Sequence, residues 1–208
     1  KKAERICTVS EFSKNDLIKT YGINPDIIDV VYNGANESYR PITDADKQTI
    51  RDKYSGGKPY FLFIGSLHPR KNLVNLIKAF NNFVEKNDSE IKLLIVGSAM
   101  WRNNKSVSPL IGDNNKSGII FTGRLEDDVL GGVLSSALAL TFVPWFEGFG
   151  IPVLEAMYAG IPVLTSTETS LPEVGGEAVL YAHPGDIDEI ASKMEELADN
   201  HDLRKSLI

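Results

Sequence analysis

Residues 58–80 read KPYFLFIGSLHPRKNLVNLIKAF. Tyr60–Ile64 is a continuous apolar run of strand length, Gly65–Lys71 is a loop carrying Gly and Pro, and Leu73, Leu76, Ile77, Phe80 and Val84 then recur at helical spacing. A strand without polar alternation is buried on both faces, as in a parallel sheet with crossover helices on each side. The unit repeats downstream. Ile91–Val96 ends at Gly97-Ser98, and Ile119–Phe121 ends at Thr122-Gly123-Arg124 before a helix from about Glu126. Leu138–Val143 ends at Pro144 before a helix from about Pro152 to Tyr158. Ile161–Leu164 ends at Thr165-Ser166, and Ala178–Tyr181 precedes an acidic helix, Ile187–Leu197. Strands alternating with amphipathic helices predict a doubly wound parallel α/β sheet, Rossmann-like in kind.

The region before residue 58 is less regular. Glu11–Tyr21 reads as a helix with Ser10 as N-cap and Gly22 past its end. Ile27–Val31 reads as a strand closing at Tyr32-Asn33-Gly34, and Ala45–Tyr54 as a charged helix before Ser55-Gly56-Gly57. Ser98–Gly118, rich in Asn and Ser and holding Trp101, reads as irregular. No internal repeat or low-complexity tract is present.

The 208 residues suit one ordinary domain, and 42% hydrophobic with 24% charged residues is normal for a globular chain. The net charge of −6 argues against a nucleic-acid binder, which carries a basic face. Cys7 is the only cysteine, so no internal disulfide and no cysteine-based zinc site can form, which points to a reducing compartment. No apolar run approaches the roughly 18 residues that span a bilayer. The chain opens on Lys1 rather than Met and stops at Ile208 inside a charged, helix-like stretch, so a piece of a larger protein is expected.

In open parallel sheets ligands bind at the carboxyl ends of the strands. The suggestive loops all fall there: Gly65–Asn72, Gly97-Ser98, Gly123–Leu125, Pro144–Gly150 and Thr165–Ser170. The richest is PWFEGFGIPVLE, residues 144–155. Gly148 and Gly150 allow a tight turn and close ligand approach. Pro152 fits the first turn of a helix, whose free amides at Phe149, Gly150 and Ile151 suit a phosphate. Glu155 lies one turn in, and helical side chains lean toward the N-terminus, so its carboxylate can reach hydroxyls of the same ligand. Glu147 faces that ligand from the loop. Two carboxylates flanking a diphosphate cradle match a nucleotide sugar; the alternative is a plain strand–helix turn with solvated glutamates. Arg70 and Lys71 suit phosphate oxygens as a fork and a point charge, although alone such a pair is an ordinary solvated one. His68 adjoins the loop and reads as a surface histidine. His68, His183 and His201 are scattered, no carboxylates cluster at ligand spacing, and no metal or other cofactor is expected.

Glu147 and Glu155, eight positions apart within EGFGIPVLEAMYAGIPV, resemble the E-x7-E signature of the group 1 (family 4) retaining glycosyltransferases. The likeness runs through TVSEFSKNDL (Thr8–Leu17), VVYNGAN (Val30–Asn36), FIGSLHPRKNLVNLIKAF (Phe63–Phe80), IIFTGRL (Ile119–Leu125) and TSLPEVGGEAVLYAHPGD (Thr169–Asp186), with wording similar to a mannosyltransferase branch. The resemblance implies the C-terminal, donor-binding half of a GT-B enzyme. Residues 1–40 would lead out of a missing acceptor domain, and 41–208 would form the nucleotide-sugar domain, truncated at its C-terminus. It implies that Glu147 contacts the donor sugar, Glu155 holds the ribose, and Lys71 neutralises the diphosphate with Arg70. Gly65, Ser66, Gly148, Phe149, Gly150 and the Leu154 backbone would line the phosphates and sugar, with Arg124 and Leu125 by the base. Many members place Arg where this chain has Ser66; Arg70 is the candidate replacement.

The implied partners are GDP-mannose or a UDP-sugar and a glycan or lipid-linked acceptor met through the missing half. That half would also make any membrane contact, at the inner face of a cytoplasmic setting. A nicotinamide oxidoreductase is disfavoured because Val153 stands where the third fingerprint glycine belongs. Glycoside hydrolysis by two carboxylates is disfavoured because one of them sits in a helix beside a phosphate-type loop. A non-catalytic nucleotide-binding module and a GT-B relative such as a sugar-phosphate synthase remain as alternatives.

Overall fold

The computed structural model describes residues 3–66, 68–97, 105–111 and 118–208. Its centre is a parallel sheet of β3 (Tyr60–Ile64), β4 (Lys92–Val96), β5 (Ile119–Gly123), β6 (Ala139–Phe142), β7 (Val163–Ser166) and β8 (Leu180–Ala182), in the order β5-β4-β3-β6-β7-β8. The inner strands β6 and β7 are buried throughout, and β3 and β4 at all but one position each, which explains their unbroken apolar runs. The chain winds outward from β3 to β5, then returns to β6 and winds the other way. The order therefore reverses between β3 and β6, the switch point where ligands bind in this class of sheet.

Helix α3 (Leu73–Asn87) buries Leu73, Leu76, Ile77, Phe80 and Phe83 along one stripe. The acidic α8 (Ile187–Asp199) buries Ile190, Met194 and Leu197 and packs on α3, with Asp186 capping it by accepting from the Glu189 amide at 2.9 Å. Helices α2 (Asp44–Ser55), α5 (Asp127–Ser135) and α6 (Ile151–Tyr158) complete the cover, with short α7 (Leu171–Gly175) and α9 (His201–Ser206). Within the stretch expected to be irregular, Ser108–Ile111 forms a short helix, α4; Trp101 and most of its neighbours lie outside the described residues.

Two strand expectations shift toward their carboxyl ends. Strand β7 starts after Pro162, which has no N–H to give, and continues through Thr165 and Ser166. The buried Thr165 hydroxyl donates to the Phe142 carbonyl at 2.8 Å, which allows a polar residue in the core. Strand β8 likewise begins at Leu180 rather than Ala178.

The first forty residues hold a separate two-stranded parallel sheet, β1 (Ile6–Thr8) with β2 (Ile28–Val30), joined by α1 (Glu11–Tyr21). Helix α1 has the expected boundaries: Ser10 caps it by accepting from the Ser13 amide at 3.0 Å, and Gly22 ends it in the left-handed conformation. Strand β1 was not expected; three residues with only partial burial carry too little pattern to read.

Candidate functional site

Loops leaving β3 and β6 meet at the switch point. Pro69–Lys71 forms one tight helical turn, held by the His68 ring nitrogen, which accepts from the Arg70 amide at 3.2 Å. Asn72 follows at φ 58°, a left-handed conformation that Asn tolerates better than most residues. Its buried amide group donates to the Val143 carbonyl at 2.9 Å and the Pro184 carbonyl at 2.7 Å. One side chain thus ties the ends of three strands. The Trp145 amide adds a 2.8 Å hydrogen bond to the Arg70 carbonyl, so the cation loop and the glycine loop are one unit.

This unit places Arg70 and Lys71 on the same oxygen of Glu147. Arg70 Nη1 lies 2.7 Å from Glu147 Oε1 and 3.0 Å from the Phe146 carbonyl, and Lys71 Nζ donates to the same Oε1. Lys71 and Glu147 are 9% and 8% exposed, so that pair is largely desolvated, while the Arg70 side chain is 38% exposed. A buried ion pair contributes little net stability, because desolvation offsets the attraction, so this cluster is weak as a fold device and strong as a charge site. The sequence assigns both cations to a bound diphosphate with Glu147 across from them; the structure pairs both with Glu147 itself, whose one negative charge leaves the cluster with a net positive charge. Arg70 stands beside Lys71 on the same Glu147 oxygen, while Ser66 is solvent-exposed.

Helix α6 opens at Gly150, whose φ of 109° disfavours any side chain and whose Cβ would stand 2.5 Å from Leu171 Cδ2. Only glycine lets the loop enter the helix here. One turn on, Glu155 is half-buried, and its pKa is pushed up to about 7. Burial is the main cause; the Asp127 charge adds to it and a hydrogen bond with the Tyr39 hydroxyl opposes it. The two glutamates therefore have different surroundings: Glu147 is compensated by two cations, and Glu155 has a tyrosine and a neighbouring carboxylate.

The remaining expected residues surround this centre. Gly65 lies where a Cβ would meet the Phe63 ring at 2.9 Å. Gly148 and the buried Phe149 form the turn, and the Leu154 amide donates to the Gly150 carbonyl at 3.3 Å. Arg124 is exposed and Leu125 half-buried at the end of β5, just before Asp127, whose charge reaches Glu155. No group of metal-ligating side chains occurs among the described residues. A cavity of about 400 Å³ at the amino-terminal ends of β3, β6 and β7 is lined by residues that include Lys47, Arg51, His201, Arg204 and Lys205. Its two arginines cap helix ends, donating to the carbonyls of Ser136, Leu197 and Ala198. It holds none of the carboxylates discussed above.

Sequence reasoning missed the residues that hold the glycine turn. Ser10 and Ser13 both donate to the Gly148 carbonyl, at 2.6 and 3.0 Å. The Ser170 hydroxyl lies 2.9 Å from the carbonyls of both Glu147 and Phe149 and shares its one proton between them, and Thr169 accepts from the Glu147 amide at 3.2 Å. Glu173 accepts from the amides of Glu11 and Phe12 at 2.8 and 3.1 Å. Thr8–Leu17 and Thr169–Asp186 stand out as motif blocks, which is the available signal, but nothing local in them reveals partners that lie 21 to 23 positions away for Thr169 and Ser170 and more than 130 away for Ser10, Ser13 and Glu173.

The "Glycosyl transferases group 1" family model matches residues 46–208. The O-antigen chain mannosyltransferase B of Escherichia coli is 31% identical over 191 residues, covering 91% of this chain and 50% of that protein. The O-antigen chain mannosyltransferase RfbU of Salmonella typhimurium is 30% identical over 187 residues, covering 89% and 48%. The chain thus spans about half the length of these relatives. Among solved structures, Anabaena Alr3699/HepE in complex with UDP and glucose superposes with a TM-score of 0.84 at 18% identity, covering 99% of this chain and 56% of that one. WaaG, a glycosyltransferase involved in lipopolysaccharide biosynthesis, superposes at 0.83 and 18% identity, covering 98% and 56%. These likenesses establish the Rossmann-like half of the GT-B architecture. With the family model spanning the six-stranded sheet and every loop of the switch point, the chain belongs to the group 1 glycosyltransferases.

Proposed function

We propose that this chain is the donor-binding half of a retaining hexosyltransferase that uses a nucleotide diphosphate sugar, with GDP-mannose and UDP-sugars as candidate donors. The observation that carries the reading is the buried Lys71–Glu147 pair with Arg70 on the same carboxylate oxygen, four residues before α6 begins and with Glu155 one turn into that helix. A diphosphate entering there meets two cations and the amides of a helix N-terminus. It competes with Glu147 for Arg70 and Lys71, and a carboxylate relieved of its cations can accept hydroxyls of the sugar. Glu147 then orients the glycosyl unit, a positioning role, while the cations stabilise charge building on the departing diphosphate. Glu155 accepts from the ribose hydroxyls.

The likeness to mannosyltransferases supports mannose among the hexoses, and the acceptor, a glycan or lipid-linked sugar, would be held outside these residues. The isolated chain is expected to bind donor without transferring it. Calorimetric titration with UDP, GDP and ADP, each with and without its sugar, tests the proposal. Binding of one diphosphate tighter than about 1 mM supports it. The reading fails if none binds in that range and Glu155→Ala changes nothing.

A further inference from the structure

Three successive carbonyls of the glycine turn are held by side-chain hydroxyls from two different directions. Ser170, fully buried after β7, holds the carbonyls of Glu147 and Phe149; Ser10 and Ser13, at the start of α1, hold that of Gly148. In a trans peptide the carbonyl and the following N–H point in opposite directions. Fixing the Gly148 carbonyl toward α1 therefore turns the Phe149 N–H away from α1, and Ser170 does the same for the N–H groups of Gly148 and Gly150. We propose that Ser10 and Ser13 are positioning residues that set the amide orientation of the 148–150 turn for a diphosphate. This rests on the donor-binding reading given above.

Three observations support it. Ser10 is fully buried, and one hydroxyl serves two purposes, accepting from the Ser13 amide to cap α1 and donating to Gly148. An Asp or Asn would cap equally well; the ionised Asp, however, has no proton for the carbonyl. Ser13 adds a second donor to the same oxygen, more than a helix-surface serine requires. Glu173 then fastens α1 to the donor sheet by accepting from the Glu11 and Phe12 amides and hydrogen-bonding Tyr32. Phe12 against Phe146 and Tyr32 against Phe149, at ring distances of 5.6 and 6.2 Å, pack the same contact. Residues before the family-matched region thus complete the anion site within it.

The test uses the 208-residue chain itself. Ser13→Ala leaves the cap intact, since the cap uses only the Ser13 backbone, and Ala favours helix, so the fold should survive. Titrations with UDP and GDP should weaken about fivefold in Ser13→Ala and tenfold or more, as an order of magnitude, in Ser10→Ala/Ser13→Ala. UMP and GMP should change far less, and Ser13→Thr should restore diphosphate binding. The Gly148 carbonyl carbon resonance of the free chain should shift in both alanine variants, reporting loss of the donated hydrogen bonds. Unchanged diphosphate affinity in the folded double variant, or equal losses for mono- and diphosphates, would overturn the inference. Failure of the wild-type chain to bind any diphosphate would instead refute the donor reading. In that case an unmoved Gly148 resonance separately overturns the positioning role.

Discussion

At the scale of single residues, the site separates one anionic function from another by environment. Lys71 shares Glu147 Oε1 with Arg70, so losing Lys71 still leaves Glu147 a partner. Lys71→Ala should therefore keep the fold yet weaken diphosphate binding by roughly 10- to 100-fold, the range for a charge-assisted hydrogen bond. Calorimetry with UDP or GDP checks it, and Lys71→Arg should recover part of the loss. Glu155 makes a pH prediction. Its folded pKa of about 7 lies above the unfolded value near 4.5, so the folded chain holds the extra proton between them. Stability attributable to this group therefore falls as pH rises from about 4.5 to 7 and then levels off. Glu155→Gln should remove that fall, a gain of about 1 kcal/mol at pH 8 because partial exposure screens the full effect. Thermal unfolding of both proteins at pH 5 and pH 8 reads the difference. Nucleoside binding by the wild type should strengthen with rising pH through 7, since only the carboxylate accepts two ribose hydroxyls.

Between elements, the decisive contacts are loop to loop. Asn72 joins the turn after β3 to the ends of β6 and β8 while holding a left-handed backbone. Asn72→Ala leaves two carbonyls without their donor and loses the polar side chain that makes Asn tolerate the left-handed backbone better than Ala, at a cost of about 3 kcal/mol. Asn72→Gly removes the backbone penalty and should cost less. Urea unfolding of the three proteins distinguishes the two contributions. The link from α1 to the glycine turn belongs to this scale too. Burial raises the Glu173 pKa, but the Glu11 and Phe12 amides and the Tyr32 hydroxyl outweigh it, and the net shift is downward. Its contribution is thus present at neutral pH and is lost as acid protonates the carboxylate.

Across the whole molecule, an acidic chain of net charge −6 directs two cations to the one sheet edge where an anion is expected. A nucleoside diphosphate bound there, as proposed, would touch loops from several strands at once. At a hundred times its dissociation constant it should stabilise the chain by about 2.7 kcal/mol, raising the unfolding temperature by about 5–10 °C, while NADH should leave it unmoved. Differential scanning calorimetry provides that comparison. The sequence by itself determined the parallel sheet, because strands buried on both faces, such as Tyr60–Ile64, must be written as unbroken apolar runs. It also exposed the Glu147–Glu155 spacing, the glycine turn and the Arg70-Lys71 pair, since each is a local pattern. Only the tertiary structure decided that Glu147 pairs with both cations and that Tyr39 and Asp127 set the surroundings of Glu155. It alone placed Ser10, 138 positions away, on the Gly148 carbonyl. Such contacts leave no periodicity in the chain; they exist only once the strand order has brought distant loops to one edge.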